Sequence, residues 1–288
     1  MSEKTYRTIS ISDVHLGTKA CKADYLNNFL KHNTCETLYL VGDIIDAWKM
    51  KQNTLKWHQS HTNVIRRVLG HAKHGTQVVY IAGNHDEFLR PLIPYGVSFG
   101  RIKICNKAEH VGLDGKRYLV VHGDLFDGIT RLAPWLSILG DKAYDCVLNI
   151  NTKLNWIRHR MGFGYWSLSL YLKHRVKKAV DFMFQFEINL ANYCKKKGYD
   201  GVIFGHTHNP IIKEIDNIIV MNDGDFVESC TALVETHAGD WVIIKLIENK
   251  WLPVNVLDRQ TGKILTGESC VLWYEQKGFS VLSIDDHD

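Results

Sequence analysis

Five times within its first 208 residues the chain runs through a short apolar stretch and then stops at residues able to ligate a metal. The runs are YRTIS before SDVH, TLYLV before GDIID, QVVYIA before GNHD, RYLVV before HGD, and GVIF before GHTH. Each has the length and composition of a buried strand. Helical patterns at 22–32 and 55–73 lie between the first three. Strand–helix–strand order argues for parallel pairing with helices on the faces. In an open α/β sheet the carboxyl ends of parallel strands share a rim where ligands bind. The groups standing at those ends are Asp13, His15, Asp43, Asp46, Asn84, His85, Asp86, His122, His206 and His208. They are therefore expected to converge.

One D-x-H pair means little in a chain with 15 histidines. A lone Asn84 or Asp43 after a strand would read as a turn residue or helix cap. The joint pattern carries the weight. Carboxylate oxygen and neutral imidazole suit Mn²⁺, Fe or Zn²⁺, and the lack of cysteine in the set argues against a closed structural zinc site. Asp13, His15, Asp43, Asn84, His122, His206 and His208 are too many ligands for one ion. They fit two ions that share a carboxylate.

The remainder sets the frame. From about 210 to 257, short strands and tight turns predict a second, more antiparallel sheet. Residues 129–196 read as a helical insertion within one domain spanning 1–288, and the tail from 258 reads as a last hairpin with an acidic end. The net charge of +4 is too small for a polybasic nucleic-acid binder. Seven cysteines without a C-x-x-C pair, and an N-terminus (MSEKTYRTIS) without an apolar signal core, lead to the expectation of a cytoplasmic protein with reduced thiols. No apolar run approaches the roughly 20 residues needed to span a bilayer. The oligomeric state is not legible.

Within the insertion, Cys146 to Val180 contains no acidic residue but holds Lys153, Arg158, Arg160, Lys173, Arg175, Lys177 and Lys178, interleaved with aromatics. The segment 166–186 reads as an amphipathic helix with one basic face. Such a helix suits an anionic membrane surface or an anionic amphiphile, and could cover the rim as a lid. The plainer alternative packs the aromatics on the core and solvates the lysines. Single-stranded nucleic acid is a weaker alternative, since no nucleic-acid-binding module accompanies the basic residues.

The series SDVH, GDIID, GNHD, VHGD and GHTH resembles the signature of the calcineurin-like metallophosphoesterase superfamily. The resemblance implies a four-layer αββα sandwich of two mixed β-sheets, here with a helical lid insertion. It implies that Asp13, His15 and His208 hold one metal, that Asn84, His122 and His206 hold the other, and that Asp43 bridges them. His85 matches the family's catalytic histidine, placed to protonate the leaving group, and Asp86 the carboxylate that orients it. Asp46 and Asp124 are expected to brace metal-bound histidines, although Asp46 could equally cap a helix.

A narrower resemblance lies in GDIIDAW, GNHDEFLR, HGDLFD, GHTHNP and NDGDFVESC. Together with the insertion, these are similar to the UDP-2,3-diacylglucosamine pyrophosphatases of lipid A biosynthesis, which act at the membrane surface. The resemblance implies hydrolysis of a phosphoanhydride or phosphodiester in a lipid-linked nucleotide, two divalent ions with Mn²⁺ as first choice, and a peripheral place at the inner membrane face. Substrate contacts are assigned to Asn84, Asp127, Arg175, Lys178 and His206. One position departs: that branch resembles GNRD where this chain has His85. The departure leaves room for a general small-molecule or nucleotide phosphodiesterase. A non-catalytic scaffold would be expected to lack part of the ligand set, which is complete here.

Overall fold

The computed structural model describes residues 5–52, 55–126, 160–161, 168–279 and 281–284, with the side chains of 50, 51, 99, 168–180 and 182 outside that description. The chain divides into two compact units, Met1–Phe126 with Leu190–Asp288, and Asp127–Asn189.

The first unit is built on two mixed sheets. Strands β1 (Tyr6–Ile11), β2 (Cys35–Val41), β3 (Gln77–Ile81) and β5 (Ile102–Cys105) pair in parallel, with β4 (Ser98–Phe99) antiparallel at the edge. On the other side of β1 the same sheet continues antiparallel through β11 (Thr231–Glu235), β12 (Trp241–Ile247), β13 (Lys250–Leu257) and β14 (Ile264–Thr266). The second sheet runs β6 (Lys107–Val111), β7 (Arg117–Val121), β8 (Gly201–Phe204), β10 (Ile218–Asn222) and β9 (Ile211–Ile215), parallel across β7–β8–β10 and antiparallel at both edges. A parallel pair needs a crossover. The crossover between β7 and β8 ends in α4 (Leu168–Lys197).

Apolar periodicity explains the layers. Helices α1 (Ala23–His32) and α3 (Gln59–Lys73), the latter preceded by a short α2 (Ala47–Lys51), turn Leu26, Phe29, Leu30, Val64 and Val68 into one cluster with Ile9, Ile11, Leu38, Leu40 and Val78 of the larger sheet. The opposite face of that sheet gives Tyr39, Val41, Val79, Ile81, Leu233 and Ile243 to a second cluster, where Tyr118, Val120, Ile203, Ile219 and Met221 enter from the smaller sheet. Residues alternate across a strand, so Leu119, Val202, Phe204 and Val220 face away from that cluster, and they too are buried. Leu190, Ala191 and Cys194, in the last turns of α4, are buried as well. The architecture is the α/β sandwich of two mixed sheets expected from the sequence.

Two local expectations change. The 210–257 region does not form a sheet of its own: β9 and β10 join the smaller sheet, while β11 to β13 extend the larger one beside β1. The tail is also more than a hairpin. It contains α5 (Glu268–Gln276), which buries Cys270, Trp273 and Tyr274 against the larger sheet's outer cluster. The Trp273 Nε1–H donates to Asp258 Oδ2 at 2.6 Å, and Tyr274 and Tyr6 hydroxyls lie 2.6 Å apart. The six described cysteines are free thiols. Among the described residues, no helix is long and apolar enough to cross a membrane.

Candidate metal centre

The five motifs come from both sheets, three from the larger and two from the smaller, and their loops are stitched together. Asp13 N–H donates to Gly42 O at 3.1 Å and His15 N–H to Asp43 O at 2.9 Å, carrying the β1–β2 ladder past the strand ends. From the smaller sheet, Gly205 N–H donates to His122 O at 3.1 Å. Side chains then tie one sheet to the other. Asp13 Oδ2 accepts from His206 N–H at 2.7 Å, and His122 Nδ1–H donates to Val41 O at 2.8 Å.

Glycine precedes the key residue in several motifs because the chains approach too closely for a side chain. A Cβ on Gly83 would lie 2.3 Å from Asp43 Oδ1, and one on Gly205 would lie 2.2 Å from Ser12 Oγ and 2.6 Å from Asp13 Oδ2. The residues themselves are bent into unusual backbone. Asp13, His15, Asp43, His206 and His208 all have left-handed φ, between 49° and 65°. Such conformations cost of order 1–3 kcal/mol each for a residue with a side chain.

Among the described residues, three groups bring ligand atoms within 4.8 Å of one another: Asp13 with His15 and His208; His15 with Asp43 and His85; and Asp43 with His122 and His206. Asp43 and His15 each belong to two groups. Asn84 joins the third through its side chain, with Oδ1 3.3 Å from His122 Nε2. The donor set fits divalent ions on grounds independent of the motif. His122 donates its Nδ1–H to a backbone carbonyl, which leaves Nε2, 3.4 Å from Asp43 Oδ2, as the nitrogen that an ion could take once its proton is displaced. Asp13 Oδ1 and His208 Nδ1 are buried without a hydrogen bond, although His208 Nε2 stands 3.1 Å from Asp13 Oδ1. These groups form a candidate binuclear metal centre.

Charges at the centre are mutually held. Burial opposes ionisation of Asp13, yet the charge of His208 beside it keeps this carboxyl well below the ordinary range. Burial likewise opposes a charged His208, and Asp13 overrides it, pushing the imidazole up to about 9. Burial opposes a charged His122 too, but Asp43 raises it well above the usual imidazole value. In the metal-free chain, protons on imidazoles offset the carboxylates, and a divalent ion would displace them.

His85 lies at the edge of this group. Its Nε2 is 3.9 Å from Asp43 Oδ2, and its ring is tilted over Trp48 with centroids 4.0 Å apart. The carboxylate facing its Nδ1 is Asp46, at 3.2 Å, and not Asp86. Asp86 is committed elsewhere: its Oδ2 accepts from Ile44 N–H at 2.9 Å and Tyr80 Oη–H at 2.7 Å, and its Oδ1 from Gly83 N–H at 2.5 Å. It fastens the GNHD turn to the GDIID loop. Asp46 lies 3.4 Å from His15 Nδ1, while its Oδ1 caps α2 by accepting from Lys49 N–H at 3.0 Å. Asp124 Oδ2 is paired with Arg90 at 2.5 Å, and its charge also acts on His122.

Sequence reasoning missed Trp48, although it follows Asp46 by two positions in DIIDAW and the helix start there was a readable signal. It also missed Asp223 and Asp225. Asp225 accepts from Val227, Glu228 and Ser229 N–H and shapes a turn, with Oδ2 3.9 Å from His208 Nδ1. Asp127 lies outside the described residues, as do the side chains of Arg175 and Lys178, which stand on α4.

Comparison with known proteins places this geometry. The UDP-2,3-diacylglucosamine hydrolase of Klebsiella pneumoniae subsp. pneumoniae is 25% identical over 230 residues, which cover 72% of this chain and 84% of that protein. The protein of the same name from Vibrio atlanticus is 23% identical over 235 residues, covering 72% and 82%. That from Azotobacter vinelandii is 24% identical over 216 residues, covering 72% and 84%. The family model for calcineurin-like phosphoesterases matches residues 6–210, which take in all five motifs. That match extends over more than half of the sequence and over every strand end that feeds the rim, and the chain belongs to the calcineurin-like phosphoesterase family.

Proposed function

We propose that this protein hydrolyses the phosphoanhydride of a lipid-linked nucleotide, UDP-2,3-diacylglucosamine or a close relative, with two divalent ions. The observation that carries the reading is the sharing of Asp43 between two ligand groups with His85 beside it. Asp13, His15 and His208 would hold one ion and Asn84, His122 and His206 the other, with Asp43 between them. The ligand chemistry accepts Mn²⁺, Fe or Zn²⁺, and Mn²⁺ is the first to test. When bound, such ions supply Lewis acidity toward a phosphoryl oxygen and lower the pKa of water.

The chain's own residues would do the rest. Burial works against a charged His85, but Asp46 at its Nδ1 and Asp43 near its Nε2 raise its pKa above the ordinary imidazole value. A proton held on His85 would be available to the leaving oxygen. Asp46 fixes the ring's orientation, and Trp48 supports its face. Asn84 and His206, both half-buried, would contact substrate phosphate. The basic, acid-free stretch Cys146–Val180, with Arg175 and Lys178 in it, suits phosphate and an anionic membrane surface, which supports a peripheral, cytoplasmic-face location. Asp127 is a further substrate contact in this reading.

The names of the relatives support the lipid-nucleotide substrate. The presence of His85, where the resembled branch has arginine, favours a second reading as a broader phosphodiesterase. Turnover of UDP-2,3-diacylglucosamine measured beside a panel of nucleotide and simple phosphodiesters, with Mn²⁺ supplied, separates the two. Preference for the lipid nucleotide supports the first. Equal or better rates on small diesters with none on the lipid overturn it.

A further inference from the structure

Ser12 sits between two carboxyls and has too few protons for both. Its hydroxyl carries a single hydrogen. Yet Ser12 Oγ lies 2.5 Å from Asp13 Oδ2, 2.7 Å from Asp223 Oδ1 and 3.0 Å from Gly224 O. Ser12, Asp13 and Asp223 are all fully buried, so bulk water cannot make up the deficit. Were both carboxyls ionised, one oxygen would press its lone pairs on a hydroxyl oxygen that has nothing to donate. An extra proton must lie on one of the two acids.

Surroundings decide which one. Asp13 Oδ2 already accepts from His206 N–H at 2.7 Å, and its Oδ1 faces His208 Nε2 at 3.1 Å and His15 Nε2 at 3.9 Å. All of these favour an anion. Asp223 meets only neutral hydroxyls: Ser12 on Oδ1, and Ser10 Oγ on Oδ2 at 2.7 Å. With the proton on Asp223 Oδ1, both carboxyls are satisfied at once. Asp223 donates to Ser12, Ser12 donates to Asp13, and Ser10 donates to the remaining Asp223 oxygen.

We infer that Asp223 is a neutral carboxylic acid that positions Asp13 through Ser12, aiming the ligand carboxylate without adding a further negative charge to the rim. Burial, reinforced by Asp13 and resisted by the two serine hydroxyls, pushes Asp223 up to about 7, the direction the donor count requires. The inference that Asp13 is aimed at an ion rests on the metal reading above. The location of the proton does not.

Infrared difference spectroscopy on the metal-free protein at neutral pH tests the proton. Wild type minus Asp223→Asn should show a carboxylic-acid C=O band, and Ser12→Ala should shift that band because it removes the acceptor. A difference confined to carboxylate bands would overturn the proposal. Manganese titration tests the positioning. Asp223→Ala and Ser12→Ala should weaken Mn²⁺ binding by about 10-fold or more. Asp223→Asn, which keeps a neutral donor of the same shape, should recover most of what Asp223→Ala loses. Equal losses in the Asn and Ala variants would mean that charge is needed and would overturn the idea. A wild type that binds no Mn²⁺ would overturn the metal reading and the aiming role together, while the infrared band would still locate the proton.

Discussion

The rim and the surface hairpins both hold non-glycine residues in left-handed backbone, for different reasons. Asp216–Asn217 and Glu248–Asn249 join β9 to β10 and β12 to β13 as two-residue loops, with φ of 51°, 64°, 47° and 62°. Positive φ at both positions is what such a loop requires to match strand twist. These residues are exposed. At the rim no loop of that kind exists, yet Asp13, His15, Asp43, His206 and His208 adopt the same conformation. Asp13 and Asp43 are buried there, and hydrogen bonds within the larger sheet's loops and across to the smaller sheet hold the bend. Topology sets the hairpin strain; at the rim, strain turns ligand side chains toward one point.

The largest expected effect follows from the shared carboxylate. Asp43→Ala should remove most bound metal and lower turnover by on the order of 10³-fold or more. Full metal content with normal activity would break the assignment. His85→Ala should keep its metal, measured by elemental analysis, while kcat falls on the order of 10²-fold. Loss of both together would make His85 a ligand, as its group with His15 and Asp43 permits.

The charge balance predicts a pH dependence. His208 is pushed up to about 9 in the metal-free chain, so below that pH an ion must displace its proton. Affinity for Mn²⁺ should therefore climb as pH rises toward 9, by roughly tenfold per unit for each proton displaced, and then level off. Calorimetric titration in buffers of different ionisation enthalpy would detect the released proton. A pH-independent affinity would contradict the pairing of His208 with Asp13.

The smallest effect sharpens the contrast between hairpin and rim. Asn217→Gly should raise stability by about 0.5–1 kcal/mol, because glycine suits positive φ and Asn217 lies in an exposed hairpin loop away from the site. Thermal unfolding in the presence of Mn²⁺ would show it. His15→Gly relieves the same backbone strain but removes a ligand, so its Mn²⁺ affinity should fall. If both variants were merely stabilised, the rim would be no more than another turn.

Much of this was legible because strand ends announce themselves. A run such as TLYLV stopping at Gly42–Asp43 marks both a buried strand and a chemical group at its end. The division of those ends between two sheets was not legible, since parallel strands look alike whichever sheet receives them. The fate of β11 to β13 was hidden for a similar reason: antiparallel edges form equally well on either sheet. Asp86 adjoins His85 in sequence, but neighbouring residues need not face each other, and Asp46 reaches the ring through the turn into α2 instead. In α5, Cys270, Trp273 and Tyr274 have helical spacing, but nine residues after Gly267 carry a weak signal. Asp223 could not be read at all. Its significance comes from Ser10 and Ser12, more than 200 positions away.

Anomalous diffraction from crystals grown with Mn²⁺ tests the central claim most directly. The account predicts two peaks at the rim, one among Asp13, His15 and His208, the other among Asn84, His122 and His206, with Asp43 reaching both. A single peak, or none among these side chains, would contradict it.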